Sequence, residues 1–367
     1  MKKEKIITVS EIVSHLHKIA HPGLAFEWDN VGFQLGDGNQ EVEKILLTLD
    51  VTQNAINKAI KENVDLIISH HPFIFKPIKK ITNPLYLKLI KNDIAVFSAH
   101  TNLDVIKKGV NSALADKLNL QNVEFLTSES GASVYHVAVY VPSSNMLEVA
   151  NALFAAGAGV IGNYTNCMND YEVSGQFKPV EGSNPVLGEY DKLEKIVERK
   201  LEFFVDSFKL SKVIETMKKV HPYETPAYTV QLQEKPNINY GLGMLGELNN
   251  EMVLEDFTKF VKDKLNAPFV KLWPADKLKT SPIKKVAICG GSGSSLISKV
   301  YGKADVFVSG EFCYHTILES RVPLIEAGHF YTENPVLENL REMLQKFELE
   351  IVKFTADEHE VSKIDIV

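Results

Sequence analysis

Short apolar runs alternate with helical patterns through the first third of the chain. Residues 64–69 and 94–99 are almost entirely apolar, which is typical of parallel strands that are covered on both faces. Residues 45–49 form a similar run, and residues 53–62 after it repeat apolar positions at helical spacing. Residues 8–11, Thr-Val-Ser-Glu, have the spacing of a capping box that opens an amphipathic helix. This alternation predicts an α/β fold.

The pattern changes near residue 125, where strand-like segments are separated by glycine and polar clusters. In order, the sequence predicts a strand, a helix, two strands, a helix and a strand, at residues 134–142, 146–157, 175–179, 200–205, 211–220 and 227–232. This order is typical of a ferredoxin-like α+β module. We therefore predict an α/β core made of residues 1–126 and 241–367, with residues 127–240 as an inserted domain.

Histidine and carboxylate side chains follow three of the apolar runs. His70 and His71 come directly after one run, Asp104 lies beyond the next, and His329 and Glu333 follow a third near the C-terminus. Because ligands bind outside the carboxyl ends of strands in open α/β sheets, we expect these side chains to converge. Imidazole and carboxylate together suit zinc, iron or manganese better than calcium or magnesium. The sequence therefore predicts a site for one or two metal ions.

Motifs along the whole chain resemble those of the Nif-three-like family, also called the GTP cyclohydrolase 1 type 2 family. They are, in the family's order, Trp28-Asp29-Asn30-Val31-Gly32, Ser69-His70-His71-Pro72, His100-Thr101-Asn102-Leu103-Asp104, and Gly328-His329 with Glu333. Within the predicted insertion, His221-Pro222-Tyr223-Glu224-Thr225-Pro226 resembles a motif of the PII-like or CutA-like domain found in longer members of this family.

The resemblance implies a core with mixed sheets and helices on both faces, and a dinuclear metal centre. Two divalent ions are implied per chain, and Glu333 is implied to bridge them; the donor set makes zinc the first expectation, with iron or manganese as alternatives. The implied ligands are His70, His71, Asp104, His329 and Glu333. The resemblance also implies assembly into a toroidal homohexamer, and GTP ring opening as the named candidate activity.

His100 and Glu311 are predicted to act in catalysis. His100 lies four residues before Asp104, where a neutral imidazole can orient a ligand, contact substrate or move a proton. A buried histidine with satisfied hydrogen bonds is an equally weighted alternative. Glu311 follows the predicted strand at residues 305–308 and is a candidate general base, and His315 is a further proton-transfer candidate.

A glycine-rich segment, residues 290–295, follows the predicted strand at residues 286–289. Its backbone N–H groups could hold a phosphate at a helix N-terminus. It lacks the Gly-Lys-Ser/Thr of a Walker loop, however, and Leu296 replaces the third glycine of a G-x-G-x-x-G fingerprint. The alternative is a tight strand-to-helix turn, since glycine permits both sharp turns and close backbone approach.

Local sequence bears on two further features. Pro335 favours a helix that starts near Thr332 or Asn334, which leaves the preceding ligands on the approach to that helix. His221 and Glu224 could form a second ligand site, but a histidine beside a proline is more often structural. We therefore exclude both residues from the predicted metal site.

Composition narrows the function classes. With 45% hydrophobic residues in 367, the chain can bury a large core, and its net charge of −7 argues against a general nucleic-acid or membrane-surface binder. Three cysteines without C-x-x-C spacing fit a reducing cytoplasm, and no run approaches the length of a membrane span.

The predicted function is a metal-dependent hydrolase that acts on a nucleotide or a related phosphorylated compound through a metal-activated water. Phosphoesterase activity is the nearest rival to GTP ring opening. The alternative from another class is a non-catalytic hexameric regulatory protein that binds metal and uses the inserted domain as a sensor or gate. A mixed His/carboxylate site keeps open positions more readily than a closed structural site, which favours the enzyme.

Overall fold

The structure is a computed structural model that describes residues 6–234, 238–274 and 280–363. The chain divides into two compact units. The insert unit is Ala132–Asn239, and the core unit combines Met1–Gly131 with Tyr240–Val367. The predicted insertion at residues 127–240 contains the whole insert unit. The insert unit therefore separates the two halves of the core unit in sequence, and the chain leaves the core unit once and returns to it once.

The first half of the core unit alternates strands and helices as predicted. Its strands are β1 Gly32–Leu35, β2 Lys44–Thr48, β3 Leu66–Ser69, β4 Ala95–Ser98 and β5 Gln121–Phe125. Its helices are α1 Val9–Ile19, α2 Gln53–Lys61, α3 Pro84–Lys91, α4 Thr101–Asp104 and α5 Val110–Lys117. The predicted capping box is present at α1, where Thr8 and Glu11 each accept a hydrogen bond from the other's backbone N–H group.

The insert unit has the predicted element order. It comprises β6 Val134–Pro142, α6 Met146–Ala156, β7 Asn169–Phe177, β8 Glu194–Asp206, α7 Ser207–Val220 and β9 Tyr228–Leu232. The four strands pair antiparallel in the order β7-β8-β6-β9. Successive side chains of a strand point to opposite faces, and alternate residues of β6 and β8 are buried against α6 and α7. They form one apolar core on that face of the sheet. Its relation to PII-like or CutA-like proteins stays a prediction.

The second half of the core unit continues the α/β pattern. Its strands are β10 Met244–Val253, β11 Lys271–Trp273, β12 Pro282–Ser292, β13 Val306–Glu311, β14 Leu324–Glu326 and β15 Glu350–Lys353. Its helices are α8 Leu254–Leu265, α9 Ile297–Val300, α10 Tyr314–Glu319, α11 His329–Glu333 and α12 Val336–Leu344. Within the described residues, no helix is both long and apolar enough to cross a lipid bilayer.

Two mixed sheets form the core unit. The first has the order β1-β4-β3-β2-β15, with β15, β2, β3 and β4 parallel and β1 antiparallel. The second has the order β11-β14-β13-β12-β10-β5, with β12, β13 and β14 parallel and the outer strands antiparallel. Because β15 pairs with β2, the C-terminal segment completes the sheet begun at the N-terminus. The predicted α/β fold with mixed sheets is confirmed.

Apolar contacts on both faces explain the continuous apolar runs. In β12, Val286 and Ile288 belong to one buried cluster, together with residues of α5 and α8. Ala287 and Cys289, which point to the opposite face, belong to a second buried cluster. Both faces of such a strand are covered by apolar residues, so its apolar residues do not alternate with polar ones.

Candidate metal site

Glu333 lies at the centre of a cluster of histidines in the core unit. Its Oε1 atom is 3.1 Å from Nε2 of His329 and 3.8 Å from Nε2 of His70, and its Oε2 atom is 3.0 Å from Nε2 of His71. Asp104 Oδ1 is 3.6 Å from Nε2 of His70. The structure therefore brings all five predicted ligands together, and we call these five residues the metal cluster.

The ends of parallel strands from both sheets supply this cluster. His70 and His71 follow β3, Asp104 ends the short helix after β4, and His329 and Glu333 lie on α11 after β14. The carboxyl ends of these strands meet between the two sheets, which is where the strand-end rule predicts a site.

The chain turns at the two adjacent histidines, His70 and His71. Strand β3 ends at Ser69, whose hydroxyl group donates to the carbonyl oxygen of His71 at 2.8 Å. The rings of His70 and His71 lie 4.9 Å apart and are tilted by 44°. This bend allows both Nε2 atoms to face Glu333, which successive side chains on a straight strand cannot do.

The outer nitrogen of each histidine donates to an oxygen atom. The Nδ1 contacts are His70 with the Ala99 carbonyl (2.9 Å), His71 with Asp50 (2.8 Å), His100 with Asp29 (2.9 Å) and His329 with Glu311 (3.3 Å). Because these oxygens only accept, Nδ1 carries the proton in each neutral ring and Nε2 keeps its lone pair. This is the arrangement that orients histidines as metal ligands.

The cluster fits a metal ion by two further observations. The Nε2 atom of His70 is buried and has no hydrogen-bond partner among the residues that the structure describes. Two groups of residues, His70 with His71 and His100, and His71 with His329 and Glu333, each bring ligand atoms within 4.8 Å of one another. A buried nitrogen without a partner is costly unless a ligand satisfies it. The site therefore suits a metal ion held by mixed nitrogen and oxygen donors.

His100 lies inside this arrangement rather than beside it. Its ring is 5.3 Å from that of His70 and 5.5 Å from that of His71. Asp29 holds it in place and also accepts hydrogen bonds from the backbone and hydroxyl groups of Thr101. The early Asp of the Trp28-Asp29 motif thus fixes a histidine that is 71 residues away in sequence. A catalytic role for His100 stays a prediction.

Glu311 and His315 differ in how they relate to the cluster. Glu311 ends β13 and its carboxylate contacts His329 Nδ1, so it lies on the outer side of a ligand. Its side chain is 56% exposed, and its predicted role as a general base stays a prediction. His315 is exposed on α10, where its ring packs against Tyr314. Among the described residues, His315 is in neither group of converging ligand atoms.

The helix that carries two of the ligands begins earlier than predicted. We expected it to start near Thr332 or Asn334, but α11 begins at His329. Gly328, with φ of +89°, makes the turn out of β14 that permits this start. Pro335 instead precedes a second helix, α12. His329 and Glu333 are therefore one turn apart on the same helical face.

The glycine-rich segment is a bulged continuation of β12 and packs against the metal cluster. The pairing of β12 with β13 shifts register between Cys289 and Ser292. Its N–H groups donate to protein oxygens, with Gly290 to Asn111 Oδ1 (3.0 Å), Gly291 to Thr332 Oγ1 (3.1 Å) and Gly293 to the Glu311 carbonyl (3.1 Å). Because these donors are already used, the structure favours close backbone approach over phosphate binding. Bulges of this kind often lie next to functional sites.

Sequence reasoning missed two residues that support the cluster. Asp50 accepts from His71, and its other oxygen is 3.4 Å from Nε2 of His359. Asp50 follows β2, so the strand-end rule could have found it. His359 lies near the C-terminus after β15, and no sequence pattern indicates its position here. Together they form a chain of contacts, from His359 through Asp50 to His71, that holds the ligand ring.

Metal binding is expected to release protons. Burial lowers the pKa of His71, but its hydrogen bonds with Asp50 and Glu333 outweigh burial and raise this pKa to about 10. The hydrogen bond with Glu333 raises the pKa of His329 to about 9 despite burial. Both rings are therefore protonated near neutral pH in the metal-free chain, and each must lose its Nε2 proton to bind an ion.

The apparent metal affinity should thus rise with pH from neutrality, through the pKa of His329 at about 9. It should level off above the pKa of His71, which is about 10. Calorimetric titration with zinc in buffers of different ionisation enthalpy measures the protons released. Heats that are the same in every buffer would contradict this prediction.

The fold and the converging ligands define a mixed α/β protein with a His/carboxylate site suited to metal. The chain belongs to the Duf34/NIF3 (NGG1p interacting factor 3) family, whose family model matches residues 7–360. The family resemblance predicted from the motifs is thereby confirmed.

Relatives cover nearly the whole chain. A Staphylococcus epidermidis (strain ATCC 35984) protein named GTP cyclohydrolase 1 type 2 homolog is 38% identical over 347 residues, which is 92% of this chain and 93% of that protein. A Halalkalibacterium halodurans protein of the same name is 36% identical over 351 residues, 93% of each chain.

Solved structures show the same fold. The crystal structure of a Bacillus cereus protein related to NIF3 matches with a TM-score of 0.80 and 35% identity, over 97% of this chain and 98% of that one. Staphylococcus aureus protein SA1388 matches with a TM-score of 0.76 and 30% identity, over 99% of this chain and 100% of that one.

Proposed function

We propose that this protein is a dinuclear metal-dependent hydrolase that acts on a nucleotide or a related phosphorylated compound. The observation that carries the proposal is the Glu333 carboxylate, which lies 3.0–3.8 Å from the Nε2 atoms of three histidines. Two of these rings, His71 and His329, are 24% and 41% exposed. The cluster is thus open on one side, as a catalytic site must be and a closed structural site is not.

The residues divide into two ligand sets that share Glu333. His70 lies near both Asp104 and Glu333, and His71 and His329 form a group of converging ligand atoms with Glu333. The mixed donors suit zinc first, with iron or manganese as alternatives. Two bound ions would supply Lewis acidity and a water molecule of lowered pKa.

His100 and Glu311 have different roles in the proposed reaction, proton exchange for His100 and orientation of a ligand for Glu311. Asp29 accepts a hydrogen bond from His100 Nδ1–H, so Nε2 is the nitrogen that exchanges a proton with substrate. This ring is 18% exposed and is positioned from both sides by Asp29 and the neighbouring His70 ring. Glu311 accepts from His329 Nδ1, and we assign it to orienting that ligand in addition to its candidate role as a base.

A cavity beside the cluster supports a substrate with a flat ring. It has a volume of about 430 Å³ and is bounded by His71, His329, Phe269, Phe330, Tyr331 and His359. Aromatic walls favour stacking with a planar group. A nucleobase would meet this requirement, and the names of the relatives make GTP the first candidate. A phosphoester is the second, because a two-metal site is equally suited to that bond.

The test is hydrolysis by the metal-loaded protein of GTP and of bis(p-nitrophenyl) phosphate, followed by chromatography and absorbance. We expect turnover of one substrate, and a fall in kcat/KM of at least about 100-fold in Asp104→Ala. This exceeds the usual loss of activity when only a hydrogen-bond partner of a metal ligand is removed. Asp263→Ala, at an exposed position of α8, is the control. Two bound ions without turnover of either substrate would contradict the proposal.

The second candidate is a non-catalytic metal-binding regulatory protein that assembles as a toroidal homohexamer and uses the insert unit as a sensor or gate. A ligand-sized cavity within the insert unit favours it. Assembly and a cytoplasmic location rest on the resemblance and on composition. Light scattering of the purified chain tests the hexamer directly.

A further inference from the structure

A cavity in the insert unit is unrelated to the metal cluster and lies wholly within residues 140–227. Its volume is about 450 Å³, within the range of small-molecule sites. Much of its wall is apolar and includes Phe177, Pro179, Val180, Val186, Leu187 and Ile196. Two carboxylates, Glu198 and Glu224, also line it.

Glu198 is buried in this wall without a counter-charge. It is only 8% exposed, and none of the described residues forms an ion pair with it. The adjacent Arg199 pairs with Asp170 instead. Gly175 leaves room for the carboxylate, because a Cβ atom at that position would lie 2.8 Å from Glu198 Oε2. A largely buried carboxyl group without a counter-charge is costly, so a ligand that supplies a positive charge would be stabilised here.

The other ionic groups of the wall are already engaged. Lys178 lines the cavity but pairs with Asp191 at 2.7 Å. Glu224 Oε1 accepts from the backbone N–H group of Asn184 at 3.1 Å, which ties the loop after β7 to the loop before β9. The uncompensated charge of the cavity is therefore negative.

The His221 to Pro226 motif builds one side of this cavity. His221 Nε2 donates to the Tyr140 carbonyl at 2.8 Å, and its Nδ1 accepts from the backbone N–H group of Tyr223 at 3.0 Å. Both ring nitrogens are used, which agrees with the structural interpretation of His221 and leaves neither for a metal. The ring fixes the loop so that Tyr223, Glu224 and Thr225 face the cavity.

Tyr223 provides a polar group next to the buried carboxylate. Burial, and then the negative charge of Glu198, raise the pKa of Tyr223 to about 12. Its hydroxyl group therefore stays protonated at physiological pH. It can donate to Glu198 or accept from a bound N–H group.

We propose that this cavity binds a small organic cation, with a primary ammonium or guanidinium group held by Glu198 and an apolar body against the wall. Charge complementarity selects the cation, and the apolar lining excludes a bare metal ion, which would need more oxygen ligands. This proposal does not rest on the hydrolase activity, because no residue of the metal cluster takes part.

The test uses the full chain and two probes of equal shape, phenethylammonium and the neutral 2-phenylethanol, in calorimetric titrations. We expect the ammonium ion to bind at least about tenfold more tightly than the alcohol, since a hydrogen bond to a charged group is worth more than a neutral one. In Glu198→Gln, this preference should disappear while the alcohol binds as before. Glu172→Gln removes an exposed carboxylate from the neighbouring β7 and should leave the preference intact.

Three results would overturn the proposal: equal binding of both probes, a preference that survives in Glu198→Gln, or no binding of either probe at millimolar concentration. If Glu198→Gln fails to fold, as judged by circular dichroism, Val186→Trp serves instead. Val186 lines the cavity and is 60% exposed, so a larger side chain is tolerated there and would occupy part of the cavity. We expect it to block both probes, and undiminished binding would contradict the assigned location.

Discussion

Replacing Glu333 by alanine is expected to remove metal from both ligand sets and to abolish hydrolysis. This carboxylate is the group that contacts His70, His71 and His329 together, so its loss leaves neither set complete. Plasma mass spectrometry should show about two ions per chain falling to fewer than one. We expect kcat/KM to fall by more than about 100-fold, beyond the 10- to 100-fold cost of losing an outer partner of a ligand.

Folding must be separated from metal loss in this experiment. Burial raises the pKa of Glu333, but the imidazole rings of His329, His70 and His71 around it outweigh burial and hold this pKa well below the usual range. In the metal-free chain, truncation thus removes the counter-charge of protonated rings, at about 3–5 kcal/mol of unfolding free energy. Glu333→Gln keeps the shape and lowers this risk.

Glu342→Ala, at an exposed position of α12, is the matched control and should keep both ions. Retention of two ions by a folded Glu333→Gln and Glu333→Ala would show that the ligand assignment is wrong.

Gly291→Ala is expected to disrupt the metal cluster from outside its ligand set. Gly291 has φ of +64°, and a Cβ atom there would lie 2.3 Å from Glu333 Oε1 and 3.2 Å from His329 Nε2. The left-handed backbone alone costs about 1–2 kcal/mol for a residue with a side chain. The added methyl group must also displace Glu333, so we expect a further loss of stability and a loss of bound metal of at least half.

Gly302→Ala separates the two effects. Gly302 has a similar φ of +73°, but a Cβ atom there meets nothing within 4 Å. It should therefore show only the backbone cost in urea denaturation and should retain its metal. Equal metal content and equal unfolding free energies in the two variants would contradict the close packing of Gly291 against Glu333.

The sequence predicted the elements because their patterns are local. Continuous apolar runs identified β3, β4 and β12 as buried strands, and the element order of the insert unit followed from periodicity and turn residues. The start of α11 was misjudged because Pro335 is a strong local signal for a helix start. Gly328 gave no equally strong signal for the earlier start, since its left-handed conformation depends on the turn out of β14.

By itself, the sequence determined the α/β class, the family and the five residues of the metal cluster, because strand ends and motif spacing are encoded in consecutive residues. Tertiary structure alone decided the supporting contacts, which join positions far apart in the chain. These are Asp29 with His100, Asp50 with His71 and His359, and Gly291 against Glu333. Likewise, only folding shows that Glu198 is buried without a counter-charge, since burial and charge compensation depend on which strands and loops pack together.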